Sequence, residues 1–190
     1  MKELLYGKTR TYLLGEVLLV DTDWAGTLAG LFRALKDVGA TMEHIRYLII
    51  THYHPDHMGI AAELTELGVR PVIFDVQLPH VHFPDSIYAK EKNRSYRPID
   101  VKCAMVMRCA DSRAFLASLG ISGEVIHTPG HSEDSVSLIL DNGHAIVGDL
   151  PPYSALSAID DETVKASYQN ILSRGVTCLH YGHMASERIE

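Results

Sequence analysis

A short stretch of the chain, Thr51 to Gly59, has the sequence THYHPDHMG. It places three histidines and one aspartate within six consecutive positions. Imidazole and carboxylate side chains bind divalent transition metals and also transfer protons during catalysis. The spacing raises the question of whether the chain folds so that these groups meet at one point.

The elements predicted around this stretch would bring its polar side chains together. His52 and His54 follow the apolar run IRYLII, which is typical of a buried strand, and side chains two positions apart on an extended chain point to the same side. Pro55 disfavours helix at the preceding residue and suits the first turn of a helix predicted from about residue 56 to 67. On that helix His57 lies on the apolar, inward face. Helix capping would account for only one of these polar residues, so convergence on a metal is the better interpretation.

Three more groups of the same kind follow predicted strands further along the chain. They are His131 in HTPGHS, Asp149 in IVGD and His183 in HYGHM. None of the candidates is a cysteine, and neutral imidazoles together with carboxylates suit a divalent transition metal. The complete set predicts a metal site built at the ends of strands and helices.

The order and spacing of these motifs resemble the metallo-β-lactamase superfamily. The resemblance runs from H-x-H-x-D-H through T-P-G-H-S and G-D to a late G-H, from about Thr11 to His183. It implies an α/β fold, a four-layer αββα sandwich of two mixed sheets flanked by helices, with a dinuclear metal site at one edge. Hydroxyacylglutathione hydrolases and lactonases are the members that the chain resembles most.

The resemblance also implies a ligand set, carried over residue by residue. Asp21, in LLVDTD, resembles the family's strand-end aspartate, which supports the site without binding metal. The first metal would be held by His52, His54 and His131 and the second by Asp56, His57 and His183, with Asp149 bridging the two.

Such a site predicts a hydrolase that uses hydroxide bound to two divalent ions, zinc in the first place, with manganese or iron as alternatives. Two metals lower the pKa of a shared water toward 7 and polarise the substrate carbonyl. Asp56 would orient this nucleophile or relay its proton. Tyr153 is a second catalytic candidate, because lactone-hydrolysing members have a tyrosine shortly after the bridging aspartate. Oxygen-reducing members typically have glutamate where this chain has His54, so hydrolysis is favoured over redox chemistry.

The substrate is predicted with less detail than the metal site. A thioester or lactone of a small molecule is favoured, and a phosphodiester or other phosphoester is the alternative. A metal-binding module without catalytic activity is the third interpretation, which a water-accessible set of mixed ligands disfavours.

Composition limits the class of protein and its partners. Of the 190 residues, 46% are hydrophobic and 22% charged, as in a globular protein of one domain, which we place at residues 1–190. The formal net charge of −7 disfavours nucleic acid or an anionic membrane as partner. No apolar run reaches the roughly 18 residues of a membrane span, and three cysteines without framework spacing favour the cytoplasm. We expect a small-molecule substrate, and the oligomeric state is left open.

Short strands and helices alternate along the chain, which indicates mixed sheets. Turns are predicted at Gly15–Glu16 and at Asp141–Gly143. Residues 76–110 show no steady period and are predicted to form an irregular covering segment that mixes aromatic and basic side chains.

The remaining histidines are not assigned to the metal site. His180 competes with His183, which it precedes by three residues, but YGH around His183 matches the family pattern better. The H-x-H of LPHVHF lacks a following D-H. The histidines without a predicted ligand role are His44, His80, His82, His127 and His144.

Overall fold

The computed structural model describes residues 1–189, and these contain two mixed β-sheets, each flanked by helices. The predicted α/β class with mixed sheets is therefore confirmed. The chain divides into two compact units, Met1–Met107 and Arg108–Glu190, and each unit contains one of the sheets. The prediction of a single domain over the whole chain stays a prediction.

The sheet of the first unit begins with antiparallel strands and continues with parallel ones. β1 to β3 pair antiparallel and β3 to β6 pair parallel, so that neighbours in sequence are also neighbours in the sheet. The β2–β3 hairpin turns at Gly15 and Glu16, both in the left-handed region, as the sequence predicts. The strands are β1 (Lys2–Leu5), β2 (Arg10–Leu14), β3 (Leu18–Val20), β4 (Tyr47–Ile49), β5 (Arg70–Phe74) and β6 (Met105–Met107).

The helices of this unit are α1 (Leu28–Asp37), α2 (Pro55–Met58), α3 (Ala61–Glu66) and α4 (Phe83–Glu91). The sequence predicts one helix from about residue 56 to 67, and the structure divides it into α2 and α3. The break follows Gly59, where a Cβ atom would lie 2.2 Å from the backbone nitrogen of Ala25. Residues 76–110, predicted to be irregular, contain α4 and β6 as well as short 3₁₀ turns.

The sheet of the second unit has the order β11-β10-β9-β8-β7. Among the described strands of this unit, β9 and β10 pair parallel and the other neighbours pair antiparallel. Val164, Tyr168 and Ile171 of its last helix pack in a core with apolar side chains of the sheet. The elements are α5 (Ser112–Ser118), β7 (Gly123–His127), β8 (Val136–Leu140), β9 (His144–Gly148), α6 (Glu162–Leu172), β10 (Cys178–Tyr181) and β11 (Glu187–Arg188).

Within residues 1–189, no helix combines the length and the apolar character that crossing a membrane requires.

Candidate metal centre

Three imidazole rings cluster where β4 leads into α2. The ring centroids of His52 and His54 lie 4.5 Å apart, and those of His52 and His57 lie 4.1 Å apart. His52 and His57 are fully buried, whereas His54 and Asp56 are partly exposed. Two buried imidazoles thus lie side by side next to a partly exposed third ring and a carboxylate, which are the side chains that bind divalent metals.

Asp21 fixes which nitrogen of His57 carries the proton. Its carboxylate is buried, and Oδ2 lies 2.9 Å from His57 Nδ1. Because a carboxylate accepts hydrogen bonds, Nδ1 must be the protonated nitrogen, and Nε2 keeps its lone pair. This arrangement of carboxylate and histidine is typical of metal-binding imidazoles.

Thr51 extends the same control to His52. The Thr51 hydroxyl donates to Asp21 Oδ2 at 2.7 Å, and the Thr51 backbone nitrogen donates to Asp21 Oδ1 at 2.6 Å. Since the hydroxyl proton is used in this way, the Thr51 oxygen accepts from His52 Nδ1 at 3.2 Å. His52 therefore also has its lone pair on Nε2, and one carboxylate determines the tautomers of two imidazoles.

Two polar side chains from later in the chain hold the turn in place. The Tyr88 hydroxyl, on α4, donates to Pro55 O at 2.7 Å and accepts from Ala25 N at 3.1 Å. Burial raises the pKa of Tyr88 to about 12, so the hydroxyl stays protonated at neutral pH. Gln77 donates to Ile50 O at 2.8 Å. Sequence analysis missed both residues, because neither shares a motif with the turn that it supports.

Replacing Tyr88 by phenylalanine should therefore loosen the histidine turn. We expect a loss of roughly 1–3 kcal/mol in the free energy of unfolding, because the carbonyl of Pro55 loses its donor in a buried position. Denaturant unfolding measures this change. Tyr96→Phe is the matched control: Tyr96 stacks on Tyr88, but its hydroxyl donates to the less buried Asp85, so its loss should be smaller. Equal losses would contradict the role assigned to Tyr88.

In the second unit, two imidazoles face one carboxylate. Asp149 Oδ2 lies 3.3 Å from His183 Nε2 and 3.7 Å from His131 Nε2. Gly148, the last residue of β9, has a φ of +59°, a conformation that glycine adopts without strain, and it redirects the chain at Asp149. The three side chains line a groove of about 240 Å³ whose other walls are Gly148, Leu150, Pro151, Pro152, Tyr181 and Met184.

Tyr153 lies in a different groove from Asp149. Its ring packs edge-to-face on Tyr168 at 5.5 Å, and its backbone nitrogen donates to Tyr181 Oη and to Glu187 Oε2. The groove that it lines also includes Leu156 and other residues of α6 and the preceding turn. The structure does not bring Tyr153 into the groove of His131, Asp149 and His183, and its catalytic role stays a prediction.

Four other histidines have contacts outside these two clusters: His82, His127, His144 and His180. His127 Nε2 lies 2.7 Å from Glu133 O, and His82 pairs with Asp85. His180, the competitor of His183, hydrogen-bonds to His144 and Ser186 and does not line the groove of Asp149.

The donors in each unit suit a divalent metal. The first unit offers imidazoles whose tautomers leave Nε2 available, together with the partly exposed Asp56, and the second offers two Nε2 atoms around one carboxylate oxygen. Neutral nitrogen and anionic oxygen donors of this kind are the usual ligands of zinc and related ions.

The model of the metallo-beta-lactamase superfamily matches residues 7–161 of the chain. The chain belongs to this superfamily. The family that the motifs resemble is thereby confirmed, and divalent metal binding is a property of its members.

Curated relatives of this superfamily member share about a quarter to a third of its residues. It is 31% identical over 183 residues to a beta-lactamase-like protein 2 homolog of Caenorhabditis elegans, covering 92% of this chain and 55% of that protein. It is 27% identical over 185 residues to an atrochrysone carboxyl ACP thioesterase of Pseudocercospora fijiensis, covering 92% of this chain and 47% of the relative. The chain thus spans about half the length of these relatives.

Solved structures show the same fold. A metallo-beta-lactamase family protein of Thermus thermophilus superposes with a TM-score of 0.72 at 20% identity, covering 95% of this chain and 70% of that one. The protein TTHA1623, solved in a di-iron-bound form, gives a TM-score of 0.69 at 23% identity, covering 97% and 92%. The predicted metallo-β-lactamase fold is confirmed.

Proposed function

We propose that this chain is a metal-dependent hydrolase of small acyl compounds, with a thioester as the favoured substrate and a lactone next. The observation that carries the proposal is the hydrogen bonding of Asp21, which sets two buried imidazoles in the tautomer that binds metal. A carboxylate that accepts from the second ring nitrogen is the usual partner of metal-binding imidazoles, and it fixes both their tautomer and their orientation.

The proposed ligands are the imidazoles and carboxylates of the family motifs. Two divalent ions, zinc in the first place, would supply Lewis acidity and a water of lowered pKa when bound. Asp56, partly exposed beside the buried rings, orients the nucleophile and receives its proton. The complete ligand set is His52, His54, Asp56, His57, His131, Asp149 and His183.

The groove around Asp149 suits an uncharged acyl group. Its apolar walls come from Leu150, Pro151, Pro152 and Met184, and its described lining includes neither lysine nor arginine. The apolar walls offer contact surface to an acyl chain, whereas a phosphoester would find no charged side-chain donor in the described lining beyond the metal ions themselves, so acyl substrates are favoured. The name thioesterase, which the relatives from Pseudocercospora fijiensis and Aspergillus terreus have, supports the same choice.

A substrate panel tests the proposal directly. Zinc-loaded protein is assayed with short acyl thioesters, with lactones of matched chain length and with nitrophenyl phosphoesters. We expect turnover of thioesters or lactones that disappears on chelation and returns with zinc. Exclusive cleavage of phosphoesters would move the substrate to the alternative class. Stoichiometric metal without cleavage of any of the three would establish a binding module instead.

Phe83 is the candidate contact for the acyl group in the first unit. It begins α4, its ring centroid lies 5.4 Å from that of His54, and it is 49% exposed. An exposed aromatic ring beside a proposed ligand provides apolar surface for substrate. Phe83→Ala should raise KM for long-chain acyl thioesters by roughly 10-fold, because about 1–1.5 kcal/mol of apolar contact is lost, and should leave metal content unchanged.

The matched control for Phe83→Ala is Phe32→Ala. Phe32 lies on α1, is 43% exposed, and is also an apolar ring on the surface of the first unit. Its replacement should leave KM unaltered. An equal rise in KM for both variants, or a rise that does not depend on the length of the acyl chain, would show that Phe83 does not contact substrate.

A further inference from the structure

A second group of metal-binding side chains lies on the sheet of the second unit, away from Asp149. β9 and β10 pair parallel with His144 opposite Cys178, and His180 follows Cys178 by two positions. Because side chains alternate along a strand, Cys178 and His180 point to the same face. The register thus brings two imidazoles and one thiol together. In the sequence, Cys178 and His180 form the short pattern C-x-H, and His144 lies far from both.

The donor atoms of this group lie close together, with His180 Nε2 in contact with the other two. His144 Nδ1 lies 2.8 Å from His180 Nε2, and Cys178 Sγ lies 3.7 Å from the same nitrogen. All three donor atoms fall within 4.8 Å of one another. The planes of the two rings differ by 15° and their centroids lie 5.1 Å apart, so each ring turns one nitrogen toward the other.

Ser186 completes the surroundings of His180. Its hydroxyl lies 2.7 Å from His180 Nδ1, so that nitrogen has a partner that either donates or accepts. Burial, with His144 nearby, lowers the pKa of His180 to about 4. At neutral pH the ring is therefore uncharged, which is the form that coordinates a metal.

We infer that His144, Cys178 and His180 form a separate binding site for a thiophilic divalent cation, zinc. Zinc binds nitrogen and sulfur at about 2.0–2.3 Å, which puts neighbouring donors of a tetrahedron roughly 3.3–3.6 Å apart. The sulfur–nitrogen separation of 3.7 Å already lies close to this range. The two nitrogens, at 2.8 Å, need to separate by roughly 0.5 Å, which small ring rotations provide. A water occupies the fourth position, since His144 and Cys178 are only partly buried.

The protons balance with one released for each ion bound. The Cys178 thiol gives its proton to solvent as the zinc–sulfur bond forms. His180 keeps its proton on Nδ1, where it donates to the Ser186 oxygen, whereas the proton that His144 Nδ1 donates to His180 Nε2 without metal moves through solvent to His144 Nε2. Both facing nitrogens then have lone pairs, and the cation replaces the hydrogen bond that joins them in its absence.

The site shares no residue with the ligand set of the proposed hydrolase, so either proposal can be tested and rejected without the other. It links β9 to β10. Ser186, the residue before β11, contacts the site through His180. The role of the site is accordingly to fasten the strand that leads to His183. A thiolate among the donors distinguishes it from the hydrolase ligands, which are imidazoles and carboxylates only.

Cobalt(II) binding to the metal-free protein tests the site. Cobalt replaces zinc at tetrahedral sites, and a cobalt–thiolate bond gives an intense near-ultraviolet charge-transfer band that imidazole and carboxylate ligands do not give. We expect wild-type protein to develop this band and to saturate at about one thiolate-bound ion per chain. Asp149→Asn should keep the band while losing metal at the hydrolase ligands. A folded wild-type protein without the band at saturating cobalt would overturn the site.

Three variants assign the band to these residues. Cys178→Ser should abolish it, whereas Cys109→Ser, at another partly buried cysteine of the same unit, should retain it in full. His144→Asn keeps the thiol and should weaken the cobalt affinity reported by the band by at least roughly 10-fold. Circular dichroism of the metal-free variants checks their folding, and His144→Asn serves if Cys178→Ser fails to fold. A band that survives in Cys178→Ser, or an affinity unchanged in His144→Asn, would contradict the assignment.

Discussion

Asparagine in place of Asp149 is expected to remove most of the metal from the hydrolase ligands and to lower kcat/KM by at least roughly 100-fold. Asp149 Oδ2 is the one anionic atom between His131 Nε2 and His183 Nε2, at 3.7 and 3.3 Å. The amide keeps the size of the side chain but removes the negative charge that compensates the cations. Elemental analysis of gently purified protein and steady-state kinetics on the best substrate of the panel measure the two losses.

The control for this variant is another polar residue of the same unit. His127 lies on β7, and its Nε2 contacts the backbone oxygen of Glu133 and none of the proposed ligands. His127→Gln should leave metal content and kcat/KM nearly unchanged. If His127→Gln lost metal as severely as Asp149→Asn, the ligand assignment in this unit would be wrong. If Asp149→Asn kept its metal, the proposed bridging role of Asp149 would be wrong.

The local part of the candidate site could be predicted from the sequence. His52 and His54 follow a buried strand, and Pro55 starts a helix, so their placement depends on strand alternation and on the fixed φ of proline. The structure brings His57 to the same cluster. These effects act over a few residues, which is why they can be predicted from a single sequence.

What sequence analysis missed depends on contacts between residues far apart in the chain. Tyr88 contacts Pro55 across 33 positions, and the sequence predicts an irregular segment here because α4 lacks a clear apolar face. The long helix predicted after Pro55 was interrupted because the backbone at Gly59 packs against Ala25. Such close approaches are set by tertiary packing, and neither helix propensity nor hydrophobic periodicity predicts them.

The group of His144, Cys178 and His180 illustrates the same limit. Residues 144 and 178 become neighbours only through the parallel register of β9 and β10. Parallel strands need a long crossover connection, so their register leaves no short-range sequence signal. The sequence therefore indicates no separate metal site at His144 and His180, and the pairing of the strands is what brings their nitrogens to 2.8 Å.

The second large effect is expected at Asp21. Asp21→Asn should weaken metal binding by roughly 10–100-fold and destabilise the fold by roughly 1.5–3 kcal/mol. Asp21 has a φ of +60°, which asparagine tolerates, so the backbone adds little strain. The amide, however, offers only one acceptor oxygen for three hydrogen bonds, from Thr51 N, Thr51 Oγ1 and His57 Nδ1. If the amide nitrogen faces His57, the proton of His57 must move to Nε2, and that atom no longer coordinates.

Asp23→Asn separates this effect on the metal from simple destabilisation. Asp23 is also buried, two residues away, but its carboxylate accepts from the backbone nitrogens of Lys8, Thr9 and Trp24 and from no histidine. Its asparagine variant should lose a similar amount of stability because an amide N–H then faces backbone N–H groups. Its metal affinity, measured by competition with a chromophoric chelator below the melting temperature, should stay at the wild-type value. Equal metal affinities in the two variants would show that Asp21 supports the fold without setting the tautomer of His57. A loss of affinity confined to Asp21→Asn would show that the Asp21 carboxylate acts on metal binding through His57.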